Sequence, residues 1–189
     1  MTKLLFLAGS TREASLSKQV AKAAHKIANK NGVDAIFVDL RDYPMPIYDG
    51  DLEESDGLPE NAKKLKSLFA ESDGYFIVTP EYNGFFPPLL KNVIDWMSRP
   101  DDENIGNAYI GKVAALAGSS PGALGGIRAL PSLRTLLCGI GVHVVPNQVA
   151  VGAAFKAVDE NNDLADERQR DTMIAAIEQL ISTAHALKA

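Results

Sequence analysis

The sequence predicts an α/β fold of the doubly wound type, with about five parallel strands in one sheet and helices on both faces. Short apolar segments alternate along the chain with longer segments in which apolar residues recur at helical spacing. The short segments are apolar throughout, which is typical of parallel strands buried on both faces. The chain has 189 residues, enough for one domain with a good core. We therefore expect a single domain over residues 1–189.

The first part of the chain contains two predicted strands. Residues 4–8 form the first strand, and a helix follows from Leu16 until near Gly32, a residue type that commonly follows helix ends. Residues 35–38 form the second strand. Residues 41–57 contain two prolines and many acidic residues, so we expect a surface loop there. Pro59 then opens the next predicted helix.

The third strand is predicted over residues 75–78, followed by a turn over residues 79–88 that is rich in Pro and Gly. Two prolines at its end suit the start of a helix, and that helix ends before Pro100. Residues 113–117 form the fourth predicted strand, before a glycine-rich turn. A helix over residues 127–137, a fifth strand over residues 142–145 and a last helix with an apolar stripe from Met173 to Leu187 complete the prediction.

The predicted connections between strands indicate where a ligand binds. With about five strands, the commonest doubly wound order is 2-1-3-4-5. In this order the turns after strands one, three and four lie side by side at one edge of the sheet. These turns are also the richest in Gly, Ser, Thr and Asn. Because open α/β sheets bind ligands at the carboxyl ends of their strands, we expect the site there.

The first of these turns has features of a phosphate site. Small hydroxyl residues such as Ser10 lie at the start of a helix, where free backbone N–H groups also point. Arg12 adds a charge-assisted hydrogen bond. Ser15 and Ser17 also suit the helix N-cap, and capping is compatible with phosphate binding.

Two other motif matches are weaker, and a third motif is absent. Residues 106–112 imitate a P-loop, but Val113 stands where a metal-binding hydroxyl is needed, and the segment precedes a strand. Gly118 and Gly122 flank Ser120 at the spacing of the nucleophile turn of serine hydrolases. However, the residue that follows, Pro121, lacks the backbone N–H that the oxyanion hole of such enzymes uses. No Gly-x-Gly-x-x-Gly follows the first strand, which disfavours a dinucleotide-binding Rossmann half.

The composition of the chain argues against several classes of binding partner and site. A formal net charge of −5 argues against a general nucleic-acid or anionic-membrane surface, and no apolar run is long enough to span a bilayer. The single cysteine, Cys138, excludes an intramolecular disulfide and fits a reducing cytoplasm; we expect it to be a core thiol. The three histidines lie far apart in sequence, so we expect no metal site.

Three motifs together make the sequence resemble the NADPH-dependent FMN reductase family, which includes azo-, quinone- and chromate-reducing enzymes of flavodoxin-like fold. They are Gly9-Ser10-x-Arg12-x-x-Ser15, then Pro80-Glu81-Tyr82-Asn83-Gly84 with Leu90-Lys91-Asn92-x-x-Asp95-Trp96, and Ser119-x-x-Gly122-x-x-Gly125-Gly126-x-Arg128.

The resemblance implies bound FMN, with three groups of residues in contact with it. The first turn would hold the phosphate, the second would line the ribityl chain and the ring, and the small residues of the third would let the backbone approach the ring. By position these residues are Ser10, Thr11, Arg12, Ser15, Leu16 and Ser17; Pro80, Glu81, Tyr82, Asn83 and Gly84; and Ser119, Ser120, Gly122 and Gly125.

The resemblance also implies an activity. Hydride would pass from NADPH or NADH to FMN and then to an acceptor such as free flavin, a quinone, an azo compound or chromate, and no catalytic side chain is assigned. Family members are usually dimers or tetramers, so we expect a homodimer or homotetramer. Phe85 and Phe86 depart from the small residues of many relatives; they would roof the flavin or contact a second subunit. A flavodoxin-type electron carrier and a non-enzymatic redox-sensing or assembly protein are the alternatives.

Overall fold

The computed structural model describes residues 1–101 and 106–188. Its five parallel strands form one sheet in the order 2-1-3-4-5, which confirms the predicted topology. The strands are β1 (Lys3–Ala8), β2 (Asp34–Val38), β3 (Gly74–Pro80), β4 (Val113–Ser119) and β5 (His143–Val151).

Helices cover both faces of this sheet. They are α1 (Leu16–Asn29), α2 (Gly50–Asp56), α3 (Glu60–Glu71), α4 (Pro88–Ser98), α5 (Ala129–Gly139) and α6 (Glu167–Lys188). Buried apolar residues of α1 and α6 belong to one apolar core, and those of α3, α4 and α5 belong to the other. The sheet therefore has an apolar core on each face.

Strand β1 shows why two cores form. Leu4 and Phe6 belong to the core beneath α1 and α6, whereas Leu5 and Leu7 belong to the opposite core, and all four are fully buried. Successive side chains of a strand point to opposite faces, so a strand covered on both sides must be apolar at every position.

Helix α4 holds the loop that precedes α2. The Asn92 side chain accepts a hydrogen bond from the Tyr48 amide (2.7 Å) and donates one to the Pro46 carbonyl (2.8 Å). One helical turn later, the Trp96 indole N–H donates to the same carbonyl (2.9 Å). The Asn and Trp of the Lys-Asn-x-x-Asp-Trp motif thus anchor a loop.

The prediction of an irregular loop over residues 41–57 was wrong in part. A 3₁₀ turn covers Leu40–Asp42, and α2 occupies the end of the segment. The Asp49 side chain caps α2 by accepting from the Asp51 amide (2.9 Å), and acidic residues follow in the first helical turn. An acidic N-cap and first turn favour a helix start. The loop prediction rested instead on the two prolines that precede this helix.

Strand β5 is longer than the predicted residues 142–145. It continues past Pro146 because β5 lies at the edge of the sheet, where a residue without an N–H is tolerated. Its register against β4 shifts between Ala114 and Leu116. The Arg134 guanidinium donates to the carbonyls of Val144 (2.8 Å) and Val145 (2.6 Å) next to this irregularity.

The assignment of Cys138 to the core was wrong. Its neighbour Leu137 is fully buried, but Cys138 is exposed. Successive residues of a helix are rotated by about 100° around the axis, so a residue next to a core position can face solvent.

Candidate functional site

The turns after β1, β3 and β4 meet at one edge of the sheet and enclose a cleft with an empty volume of about 490 Å³. All of its lining residues except Pro121 are among the predicted site residues. The lining comprises Ser10, Arg12, Ser15, Leu16, Ser17, Pro80, Glu81, Tyr82, Ser119, Ser120 and Pro121. Thr11, Asn83, Gly84, Gly122 and Gly125 were also predicted as site residues, but they do not line this cleft.

The first turn presents hydroxyl groups and a helix start to the cleft. Ser15 is the N-cap of α1: its Oγ accepts a hydrogen bond from the Lys18 amide (3.2 Å) and lies 3.0 Å from Ser17 Oγ. Ser10 is buried, and its Oγ accepts from the Arg12 amide (3.3 Å). The first amides of a helix lack intrahelical acceptors, so this turn is suited to an anion.

Arg12 brings a positive charge to the same end of the cleft. Its side chain is exposed, and the part of the chain that the structure describes gives the guanidinium no side-chain partner. The Thr11 carbonyl accepts a hydrogen bond from Arg41 Nε (3.0 Å), so this turn is also fixed from the side of β2.

The turn after β3 is a tight hairpin. Tyr82 and Phe85 exchange two backbone hydrogen bonds, of 2.8 and 3.0 Å. The two residues between them, Asn83 (φ 54°) and Gly84 (φ 82°), both have positive φ, as in a type I′ turn, for which Asn-Gly is the preferred pair. The Asn-Gly of the motif is therefore explained by the backbone geometry of the turn.

Phe85 and Phe86 belong to different environments. Phe86 is buried in the core that includes α4, whereas Phe85 is 49% exposed, and their ring centroids lie 4.4 Å apart. The buried ring of Phe86 packs against the exposed ring of Phe85. Only Phe85 is thus open to contact a ligand or another subunit.

The turn after β4 is tied to the sheet by close backbone contacts. Gly125 has φ of 60°, and a Cβ there would lie 2.7 Å from the backbone of Ala150. A Cβ on Gly118 would lie 2.6 Å from the Gly125 carbonyl oxygen. These glycines let the turn pack onto β4 and β5, which explains the presence of Gly125 outside the cleft lining.

Ser119 is the strongest indication that the cleft binds a polar ligand. It ends β4, lines the cleft and is only 3% exposed, yet its Oγ has no hydrogen-bond partner among the described residues. Buried hydroxyl groups are nearly always hydrogen-bonded, so an orphan of this kind needs an explanation. The ribityl hydroxyls, phosphate or ring of a flavin nucleotide would supply the partner, so the residues present fit the group that the sequence predicts.

The acidic side chain of the cleft is already bound. The Glu81 carboxylate accepts from Arg128 Nε (2.7 Å) and from the Arg128 amide (3.2 Å) and also contacts Nη2. The family resemblance predicted Glu81 in contact with the ligand, and Arg128 was a member of the third motif. The pair joins the turn after β3 to the start of α5, which a sequence pattern does not reveal.

No helix in residues 1–101 or 106–188 combines the length and the apolar character needed to cross a membrane. Within these residues, no group of three or more His, Cys, Asp or Glu side chains lies in an arrangement suited to a metal ion.

Comparison with known proteins identifies relatives of the chain. The family model for NADPH-dependent FMN reductase matches residues 2–156. A 2-hydroxy-1,4-benzoquinone reductase of Burkholderia sp. is 34% identical over 170 residues, covering 89% of this chain and 88% of the relative. A quinone reductase of Escherichia coli (strain K12) is 32% identical over 154 residues, covering 82% and 79%. The solved structure of FerB, a flavoenzyme NAD(P)H:(acceptor) oxidoreductase from Paracoccus denitrificans, is 27% identical, with a TM-score of 0.82 and 98% of each chain covered.

Proposed function

Because the chain belongs to the NADPH-dependent FMN reductase family, we propose that it binds FMN in the cleft at the strand ends and uses NADPH or NADH to reduce a quinone. The observation that carries this proposal is Ser119, a buried hydroxyl with no hydrogen-bond partner among the described residues, in a cleft whose other end presents a helix start and Arg12. An anion site and an unsatisfied hydroxyl at opposite ends suit a ligand with a phosphate tail and a polar ring system.

Each turn has a distinct part in this proposal. Ser10, Ser15 and Ser17 donate hydroxyl hydrogen bonds to the phosphate, and Arg12 binds it by charge. Pro80 and Tyr82 line the middle of the cleft, and Ser119 and Ser120 bound its other side. Asn83, Gly84, Gly122 and Gly125 contribute by setting the shape of the turns.

The chemistry supplied by bound FMN is hydride transfer from a nicotinamide to the acceptor. The protein contributes binding and orientation. We assign no proton-transferring side chain, since the charged side chains of the cleft are Arg12 and the Arg128-bound Glu81.

An aromatic acceptor fits the surface beside the cleft. Tyr82 and Phe85 are each 49% exposed and belong to the same rigid hairpin. Planar apolar molecules such as quinones pack well on exposed aromatic rings. The names of the two curated relatives support a quinone as the acceptor for this chain.

The same surface supports a homodimer or homotetramer. Tyr82 and Phe85 after β3, and Leu124 (59%) and Ile127 (50%) after β4, are exposed at neighbouring strand ends. Exposed apolar residues grouped in this way are typical of protein interfaces. Light scattering of the purified protein measures the subunit number.

A cytoplasmic location is also proposed, in keeping with the single cysteine and the need for reduced nicotinamide nucleotides.

The decisive experiment measures flavin binding and turnover together. The visible spectrum of the purified protein, with and without added FMN, is expected to show bound flavin. NADPH and NADH consumption by the loaded protein is then followed with a quinone as acceptor. Photoreduction of bound FMN without nucleotide turnover would favour an electron carrier, and a protein that binds no flavin would refute the proposal.

A further inference from the structure

A closed ring of contacts fixes the first turn from the side of β2. Arg41 Nε donates to the Thr11 carbonyl (3.0 Å), and the Arg41 amide donates to the Asp39 carboxylate (3.0 Å). The other oxygen of Asp39 accepts from Lys18 Nζ (2.7 Å). The Lys18 amide donates to Ser15 Oγ (3.2 Å), which returns the ring to the turn. None of Lys18, Asp39 and Arg41 is among the site residues predicted from the sequence.

Lys18 is an unusual member of this ring because it is buried. Its side chain is only 7% exposed and that of Asp39 is 28% exposed. A lysine charge is almost never buried without a partner, and Asp39 supplies one. Partial burial alone would raise the pKa of Asp39, but the Lys18 ammonium and the Arg41 amide together lower it. The carboxylate is thus charged at neutral pH.

The ring has a net positive charge next to the predicted phosphate end. Lys18 and Arg41 carry two positive charges and Asp39 one negative charge, and Arg12 adds a further positive charge in the cleft itself. Fixed cations behind a turn raise its affinity for an anion, most of all for a dianion. They have little effect on a neutral ligand of the same shape.

We propose that Lys18, Asp39 and Arg41 form a charged brace that gives the cleft its selectivity for a flavin ending in a phosphate over the same flavin without one. The inference rests on the proposed function, because it takes the ligand to be a flavin. These three are positioning residues: Arg41 and Lys18 act through Thr11 and Ser15, which belong to the turn. Their effect should therefore be specific to the phosphate.

The test compares two ligands that differ only in the phosphate. Fluorescence titration gives the Kd of FMN and of riboflavin for the parent protein, for Arg41→Ala and for the double variant Lys18→Met/Asp39→Asn, which removes the buried pair together. We expect about a tenfold rise in the FMN Kd for Arg41→Ala, which removes a positive charge, as for the loss of a charge-assisted contact. The double variant removes one charge of each sign, so a smaller rise is expected for it. The riboflavin Kd is expected to stay within about twofold of the parent value.

Lys26→Met is the matched control. Lys26 also lies on α1 and also forms an ion pair, with Asp163 (2.8 Å), but at the far end of the helix. It should leave both Kd values unchanged. If the double variant does not fold, Arg41→Ala still decides, because Arg41 is exposed.

The outcomes separate the brace from the proposed function. A parent protein that binds FMN, with an unchanged ratio of the FMN and riboflavin Kd values in Arg41→Ala, overturns the brace and leaves the proposed function standing. Equal losses for both ligands also overturn it, since they indicate a general loss of structure. A parent protein that binds neither ligand overturns the proposed function and the brace together.

Discussion

The Glu81 carboxylate, in the turn after β3, is bound by Arg128 at the start of α5, so one ion pair joins two of the three turns that form the cleft. The Glu81 side chain is 7% exposed and that of Arg128 is 62% exposed. Because the carboxylate also accepts from the Arg128 amide, it caps the helix as well as pairing with the guanidinium.

We expect Glu81 and Arg128 to be coupled in stability. In a double-mutant cycle of Glu81→Gln and Arg128→Met, urea unfolding should give a coupling energy of about 1 kcal/mol, because one partner is shielded from solvent. The control cycle is Lys91→Met with Asp95→Asn, an i,i+4 pair on the surface of α4, for which about 0.3 kcal/mol is expected. Equal coupling in the two cycles would contradict the argument.

Ser119→Ala is expected to separate binding from folding. Removing an unpartnered buried hydroxyl should not lower the stability of the ligand-free protein, whereas the Kd of FMN should rise about tenfold. The control is Ser72→Ala, whose buried hydroxyl donates to the Leu68 carbonyl (2.7 Å). That variant should lose about 1 kcal/mol of stability without a change in FMN affinity. Calorimetry and fluorescence titration provide the two readouts, and a destabilised Ser119→Ala protein would show that the hydroxyl has a partner.

Gly125→Ala and Gly122→Ala test the packing of the glycine-rich turn. At Gly125 a methyl group meets backbone atoms at 2.7 Å, and φ is positive, so we expect a loss of more than about 2 kcal/mol. At Gly122 the nearest atom is Ser120 Oγ at 3.8 Å, and the residue is exposed. Thermal unfolding should therefore change little for Gly122→Ala. Similar midpoints for the two variants would disprove this reading of the turn.

Arg12→Ala is expected to weaken FMN binding by about tenfold through the lost contact with the phosphate. Arg168→Ala, an exposed position on α6, serves as the control and should bind as the parent does. Fluorescence titration measures both. An unchanged FMN Kd in Arg12→Ala would remove Arg12 from the site.

Stability is expected to fall in acid through two carboxylates. Burial alone would raise the pKa of both Asp39 and Glu53. A hydrogen bond from Lys18 lowers the pKa of Asp39, and hydrogen bonds from Tyr48 and Arg99 lower the pKa of Glu53. Their ordinary values are 3.8 and 4.5. A lowered pKa in the folded state adds stability above the ordinary value, and that stability is lost as pH falls through the folded value. Urea unfolding between about pH 6 and 3 should show this decline.

The control for the acid effect removes one carboxylate. Glu53→Gln is expected to lower stability at neutral pH and to make the decline shallower, because one titrating group is gone. Its carboxylate accepts from the Tyr48 hydroxyl (2.7 Å) and Arg99 Nε (3.0 Å), so both contacts weaken. A parallel curve for the variant would assign the acid effect to other groups.

The sequence alone determined the topology and most of the cleft lining. Fully apolar strands such as residues 4–8 allow only a sheet covered on both faces, and strand order then brings three polar turns together. Ser10 and Arg12 could be predicted from their place in the turn after the first strand, whereas Ser119 was expected from the resemblance to the family. The type I′ turn is likewise local, since Asn83-Gly84 favours it without help from other elements.

Only the tertiary structure decided which polar groups are already paired. The partners of Glu81 and Thr11 lie 47 and 30 residues away, at Arg128 and Arg41, and no spacing rule links positions so far apart in the chain. Burial also depends on the packing of whole elements, which placed Phe86 in the core and Cys138 outside it. Local patterns specify backbone conformation, whereas charge pairing and exposure arise only when distant segments come into contact.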